Sequence, residues 1–374
     1  MKRTLISFAV LGTILGAGMA QAGGWDRSGQ DTSIIFKDGN LLEITSVSVK
    51  PTVTGTYTAS TLTTGDVTPD YSFTNVAFRT DINDEMSLAV IQDEPYGAHV
   101  NWTSGTRFAS YKDVEAEVKS SATTVLISYD LDNVTVYGGL KNQSMSASNT
   151  NPLILAYGGA YAITSTADSS LGYVFGAAFE KPEIALRVAL TYHTKVSHDI
   201  AISETLSNAG GTLLSTAAST LSTNTPEAFN LDFQTGIAEN TLLFGTIRQV
   251  KWTQLELTPT VYKAKTGTSL KKFTSDTTSY SLGLGRKFSD QWSGAVTYGT
   301  ESAEGTGGSA LGPTDGYSKM GVGVTYAGEK ASVTLGVQKV NMGDTKIAST
   351  SAALNASMTG NTALVTAVKI GYKF

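Results

Sequence analysis

Three histidines, a scatter of carboxylates and many hydroxyls are the side chains here with the chemistry for catalysis or metal binding. His193 and His198 stand five positions apart. On an extended strand every second residue shares a face, so this spacing puts them on opposite sides and offers no chelating pair. His99 has no second histidine near it. Serines and aspartates are plentiful, yet no nucleophile, base and orienting acid form a recognisable set. GLGRKF (283–288) and GVGVTYAG (321–328) carry a G-x-G without the remainder of a dinucleotide fingerprint. There are no cysteines, hence no thiolate chemistry and no disulfide. The residues indicate no enzyme, no cofactor and no metal.

Two features remain. The first is a set of cations, Arg79, Arg187, Arg248 and Lys251, that could meet a carboxylate headgroup; the competing reading is an ion-pair ladder with Asp93, Glu94, Glu117 and Asp232. The second is QDEPYGAHVNW (92–102), which follows the strand-like MSLAVI. Proline cannot donate to a β-ladder and glycine weakens one. Asp93, Glu94, Pro95, Tyr96, Gly97 and His99 therefore mark either a β-bulge or a deliberate opening.

The elements that must position these residues are strands. In EIALRVALTYH (183–193), Ile184, Leu186, Val188, Leu190 and Tyr192 alternate with Ala185, Arg187, Ala189, Thr191 and His193. KMGVGVTYA (319–327) sets Met320, Val322, Val324 and Tyr326 against Gly321, Gly323 and Thr325. Period-two alternation of large apolar with small or polar residues recurs along the chain and suits a wall with lipid outside and a crowded lumen inside. The C-terminal NTALVTAVKIGYKF puts Leu364, Val368, Ile370, Tyr372 and Phe374 on one face. A terminal Phe in that phase resembles the ending of bacterial outer-membrane barrels.

Composition agrees. Lys2 and Arg3, the apolar stretch 4–19 and Ala20-Gln21-Ala22 read as an export signal over residues 1–22. Its loss would take the formal charge of −5 two units lower, to −7, a poor balance for binding nucleic acid. Tight polar turns (81–85, 130–133, 180–183, 238–240, 288–291, 327–330) alternate with long Ser/Thr/Gly/Asn stretches. About fourteen strands result, an even number with both ends on the short-turn side. The fold expected is all-β, a transmembrane antiparallel barrel over 41–374.

Two stretches fall outside a plain barrel. Residues 23–40, with Trp25, Phe36, Asp38, Gly39 and Asn40, precede the first convincing strand and are either a frayed terminus or a short hatch folded into the lumen. NPLILAYGGAYAI (151–163) and AGGTLLSTAASTL (209–221) are unusually apolar loops. Leu153, Ile154, Leu155, Tyr157, Tyr161, Leu213 and Leu214 need either lid packing or an apolar ligand to cover them.

Taken in order, SIIFKDGN, LAVIQDEPYGAHVNW and AEVKSSATTVLISYDLDNVTVYGGLKNQ (116–143) resemble the FadL family of outer-membrane long-chain fatty acid and hydrocarbon transporters. The resemblance covers the whole chain after residue 22. It implies passive uptake of a hydrophobic molecule, most simply a long-chain fatty acid, by a monomeric barrel in an outer membrane with lipopolysaccharide. Loops would capture the ligand, a lumen pocket would hold it, and a hatch would release it sideways at a kink in the third strand. Two departures stand out: the hatch is short, and Asp38-Gly39-Asn40 replaces the family's Asn-Pro-Ala. A general porin for small polar solutes is the alternative, and a structural surface barrel a third class.

Overall fold

The computed structural model describes residues 25–102, 114–154, 159–208, 211–305, 308–348 and 355–374. Among them no helix is long and apolar enough to cross a membrane, which says nothing of strands. The wall is one antiparallel sheet closed on itself. Its strands are β1 (Leu41–Thr52), β2 (Tyr71–Asp81), β3 (Met86–Asp93, then Gly97–Asn101), β4 (Glu115–Leu131) and β5 (Val134–Ile154). There follow β6 (Gly159–Ser165, then Asp168–Lys181), β7 (Leu186–His193, then Val196–Asn208) and β8 (Leu213–Thr225, then Ala228–Ala238). The circuit ends with β9 (Thr241–Val250), β10 (Thr277–Lys287), β11 (Trp292–Glu301), β12 (Tyr317–Ala327), β13 (Ala331–Met342) and β14 (Thr362–Lys373). Four of the fourteen are single strands broken in mid-course.

Closure joins β1 to β14 over their full length, from Leu41 opposite Lys373 to Thr52 opposite Thr362. Both termini of the barrel thus lie at the short-turn end, where the Phe374 N–H donates to the Asn40 carbonyl at 3.2 Å. A closed sheet has no edge, and in lipid that is what keeps every backbone donor paired.

Alternation places side chains as the sequence pattern implies. Met320 and Val322 are 67% and 58% exposed, while Thr325 beside them is 3% exposed, facing the lumen. Leu282, Leu335 and Ile370 lie in the same outward belt. Leu364, Val368, Ile370, Tyr372 and Phe374 all face out.

Two expectations change. The apolar stretches 151–163 and 209–221 were read as loops, but β5 runs on to Ile154, β6 starts at Gly159, and β7 and β8 pair from Val196 opposite Thr225 to Ser207 opposite Leu213. These are hairpins rising beyond the belt; uncharged, Ser/Thr-rich and β-branched sequence pairs as strand whether or not lipid surrounds it. Read as one strand, LLFGTIRQVKWTQLEL (242–257) puts Arg248 and Lys251 on opposite faces, a conflict that resolves without a bulge. β9 ends at Val250, and a 3₁₀ turn over Trp252–Gln254 carries Lys251 out of the wall.

At the long-loop end, residues 251–276 fold over the mouth through the short helix α1 (Thr260–Thr266) and a two-residue β-pair, Glu256–Leu257 with Lys271–Lys272. A three-stranded sheet of Gly55–Tyr57, Ala356–Met358 and Thr345–Ile347 roofs the β1–β14 side.

Candidate functional site

In β3, Asp93 stands opposite Ala122 of β4 and Gly97 opposite Lys119. Three residues, Glu94, Pro95 and Tyr96, therefore face two, Ser120 and Ser121, which a regular ladder cannot accommodate. The freed groups find other partners. Ser120 is one: its Oγ accepts from the Tyr96 N–H at 2.9 Å and donates to the Tyr96 carbonyl at 2.6 Å.

The chain's own N-terminal segment supplies the rest. Residues 25–40 run inside the barrel. The Gly97 N–H donates to the Trp25 carbonyl at 2.8 Å, the Arg27 N–H to the Pro95 carbonyl at 3.0 Å, and the Ser28 N–H to the Glu94 carbonyl at 3.1 Å. Ser28 Oγ donates to Asp93 Oδ2 at 2.5 Å, and Arg27 Nη1 lies 3.2 Å from Glu94 Oε2. The broken strand is stoppered from within by a short strand-like segment. Gly97 has to be small here, since a Cβ would come within 2.5 Å of Arg27 Nε.

Inward-facing cations hold this hatch in place. Arg248 Nε meets Asp26 Oδ2 at 2.6 Å with both side chains buried, and the rest of its fork reaches Asn230 Oδ1 (2.7 Å) and Gln30 Oε1 (3.2 Å). Arg79 donates to the carbonyls of Gly39 (2.8 Å) and Ile35 (3.4 Å). Arg187 lies over the Phe36 ring, 4.5 Å from its centroid, and Phe36 packs edge-on against Tyr137. Gly39 takes the left-handed turn (φ 76°), and Asn40 Oδ1 accepts from Thr80. Asp38 lines a vestibule at the short-turn end that is ringed by charged groups such as Glu180, Arg187 and Lys287. Of the four candidate headgroup anchors, three face the lumen and engage the hatch; Lys251 instead pairs with Asp276 at the outer rim, 3.2 Å away.

Above the hatch the lumen is apolar. Trp25, Tyr96, Trp252 and Phe273 meet ring to ring: Trp25–Phe273 at 5.5 Å, Tyr96–Trp252 at 5.4 Å and Trp252–Phe273 at 5.1 Å between centroids. Val118, Met145, Ile163, Ile200, Ile202 and Leu221 complete the cluster. Beside it lies a small cavity of about 30 Å³ lined by Trp25, Ala98, Val118, Ala147, Leu221 and Leu270, with Lys271 on its wall. The Lys271 ammonium sits 4.4 Å from the Phe273 centroid. Burial holds its pKa below the ordinary lysine value, partly offset by Glu304. Among the described residues no carboxylate lies within 4.0 Å of it.

The predicted capture residues separate. Tyr161 is buried in the cluster and donates to Glu204 Oε2 at 2.7 Å; the same oxygen accepts the N–H groups of Val261 and Tyr262 at the start of α1. Leu213 and Leu214 are exposed at the tip of the β7–β8 hairpin. Leu153 and Ile154 end β5, their side chains outside the described residues, as are Leu155 and Tyr157 altogether. His99 lies 3.0 Å from Glu115 beside a second cavity, and His198 from Asp168 at 2.9 Å. The described residues contain no group of three potential metal ligands. Sequence reasoning missed Trp252, Phe273 and Lys271, because loop residues carry no period to read, and it missed the buried Lys141 on β5 as well.

A family model described as "Outer membrane protein transport protein (OMPP1/FadL/TodX)" matches residues 35–374. None of the curated proteins matches the chain. Among solved structures, a Pseudomonas aeruginosa FadL homologue superposes with a TM-score of 0.78 at 13% identity, covering 97% of each chain. The Pseudomonas putida toluene transporter TodX gives 0.69 at 10% identity over 97% of each. The Ralstonia pickettii toluene transporter TbuX gives 0.64 at 13% identity over 99% of each.

Proposed function

We propose, from the premise that this chain belongs to the outer membrane protein transport protein family (OMPP1/FadL/TodX), that its cargo is a long-chain fatty acid released sideways through the break in β3. As a member it is an outer-membrane transporter of hydrophobic compounds and not an enzyme. One observation carries the lateral route. Trp25 lines the apolar cavity with its side chain and closes the β3 break with its carbonyl. A ligand that pushes the indole aside works directly on the hydrogen bonds that seal the wall.

Energetics favour the wall over the pore axis. Burial of a methylene is worth about 0.8 kcal/mol, so a ten-carbon stretch entering water forfeits about 8 kcal/mol. The axial path leads through the Arg248–Asp26 pair and Arg187 to the charged vestibule. The sideways path leads from apolar lumen to acyl chains. Lys271 supports a carboxylate headgroup: it is a cation at the edge of an apolar cavity, ready for a charge-assisted hydrogen bond. Arg79, Arg187 and Arg248 would reach a headgroup only after the hatch leaves them. Leu213 and Leu214 form the landing surface.

The test replaces Pro95-Tyr96-Gly97 by Val-Thr-Val, a strand-forming sequence. Uptake of labelled oleate by cells that depend on this protein should fall at least tenfold while surface expression persists. Unchanged uptake with folded protein at the surface would sink lateral release. Gene-dependent uptake of toluene but not oleate would reassign the cargo.

A further inference from the structure

Three cavities at the long-loop end share their walls. The outermost is a cleft of about 670 Å³ between residues 268–274 and 309–316, open to solvent. Leu270 and Lys271 line both this cleft and the apolar cavity beneath it. Ala98, Val100 and Leu311 line both the apolar cavity and a third space of about 40 Å³, where Arg27, Tyr71 and His99 lie. Arg27 is the residue whose N–H seals Pro95. Each space thus shares lining residues with the next.

We propose that cargo passes into the barrel through this cleft, between the fifth and sixth long loops, with Leu270 as its sill and Leu311 as the next barrier, between the apolar cavity and the space beside Arg27. The route rests on the reading of the chain as a carrier of hydrophobic molecules. The two leucines are half-buried and unbranched at Cβ, so they can change rotamer without moving backbone. Gly312 keeps the passage open: a Cβ there would stand 3.0 Å from Lys271 Nζ. Its φ is not of the left-handed kind, so a larger residue fits the backbone and fills the gap. By contrast, the side of the mouth under the two long hairpins is filled by Tyr161, Ile200, Ile202 and Leu221, all buried, and by α1 tied to Glu204. The landing surface and the way in therefore lie on different loops.

The chain has no cysteine, which makes the test clean. Leu270→Cys is expressed in cells that depend on this protein and treated from outside with a small anionic methanethiosulfonate, while uptake of a fluorescent fatty acid is followed. Modification should cut uptake at least tenfold, and dithiothreitol should restore it. Leu311→Cys serves equally if the first variant folds poorly, and Gly312→Trp should lower uptake without any reagent. The same modification at Thr61→Cys, on the exposed first long loop, should change nothing. A thiol at 270 and 311 that resists the reagent, or full modification with uptake unchanged, overturns the route alone. Absence of gene-dependent uptake in untreated cells overturns the transport reading and the route with it.

Discussion

Arg248 and Lys271 are both cations in a lumen where charge is costly, and they differ in what they face. Arg248 is spent on the hatch: its guanidinium spans Asp26, Asn230 and Gln30. Arg248→Met leaves Asp26 buried without its counter-ion, a loss on the order of 3–5 kcal/mol. The barrel does not bear that cost, because its ladder is untouched; the hatch does. Protease cleavage within residues 25–36 should speed up markedly in the variant while the heat-modifiable migration of the folded barrel stays the same. Lys271 faces the apolar cavity. Lys271→Met should weaken oleate binding about tenfold, roughly the 1.4 kcal/mol of one charge-assisted contact, and leave toluene binding unchanged. The ammonium is charged below its lowered pKa, and the carboxylate is charged across the neutral and alkaline range. Oleate affinity should therefore decline as pH rises, and at a lower pH than for an exposed lysine. Lys271→Arg should abolish that decline, since a guanidinium stays charged.

Strands and their interruptions carry the next level. The alternation in β7, β12 and β14 was legible because lipid outside and lumen inside impose period two on every wall strand. Leu282→Arg, in the middle of the outward belt, should cost about 2–4 kcal/mol of folding into a bilayer. A urea titration in liposomes measures it, and Ser281→Arg, on the opposite face of the same strand, is the comparison. The break in β3 was equally legible, since a proline and a glycine inside a strand announce themselves. What fills the break was not. Trp25, Arg27 and Ser28 lie 66–72 residues away from their partners at 94–97, with no pattern linking the two. The hairpins at 151–163 and 209–221 were misjudged for a related reason. Lipid no longer enforces alternation beyond the belt, so their strands look like loops.

At the scale of the molecule the question is whether the lumen conducts. Residues 25–40 and the aromatic cluster fill it from the vestibule to the outer loops. In planar bilayers the intact protein should show little steady conductance, and a variant lacking residues 25–36 should show discrete open steps. Large steps from the intact protein would instead favour a porin for small polar solutes. The sequence by itself determined the barrel, its strand number and the place where its third strand is interrupted. Those follow from local rules: a pleat that alternates, a lipid that rejects polar groups, a proline that cannot donate. Only the tertiary structure decided that the break is filled by the chain's own N-terminal segment, that three of the candidate anchors engage that segment, and that Lys271 is the one cation at the apolar cavity among the residues described there. Each of these is a meeting of residues far apart in the chain, and a meeting of that kind is fixed by closure of the barrel rather than by any neighbouring residue.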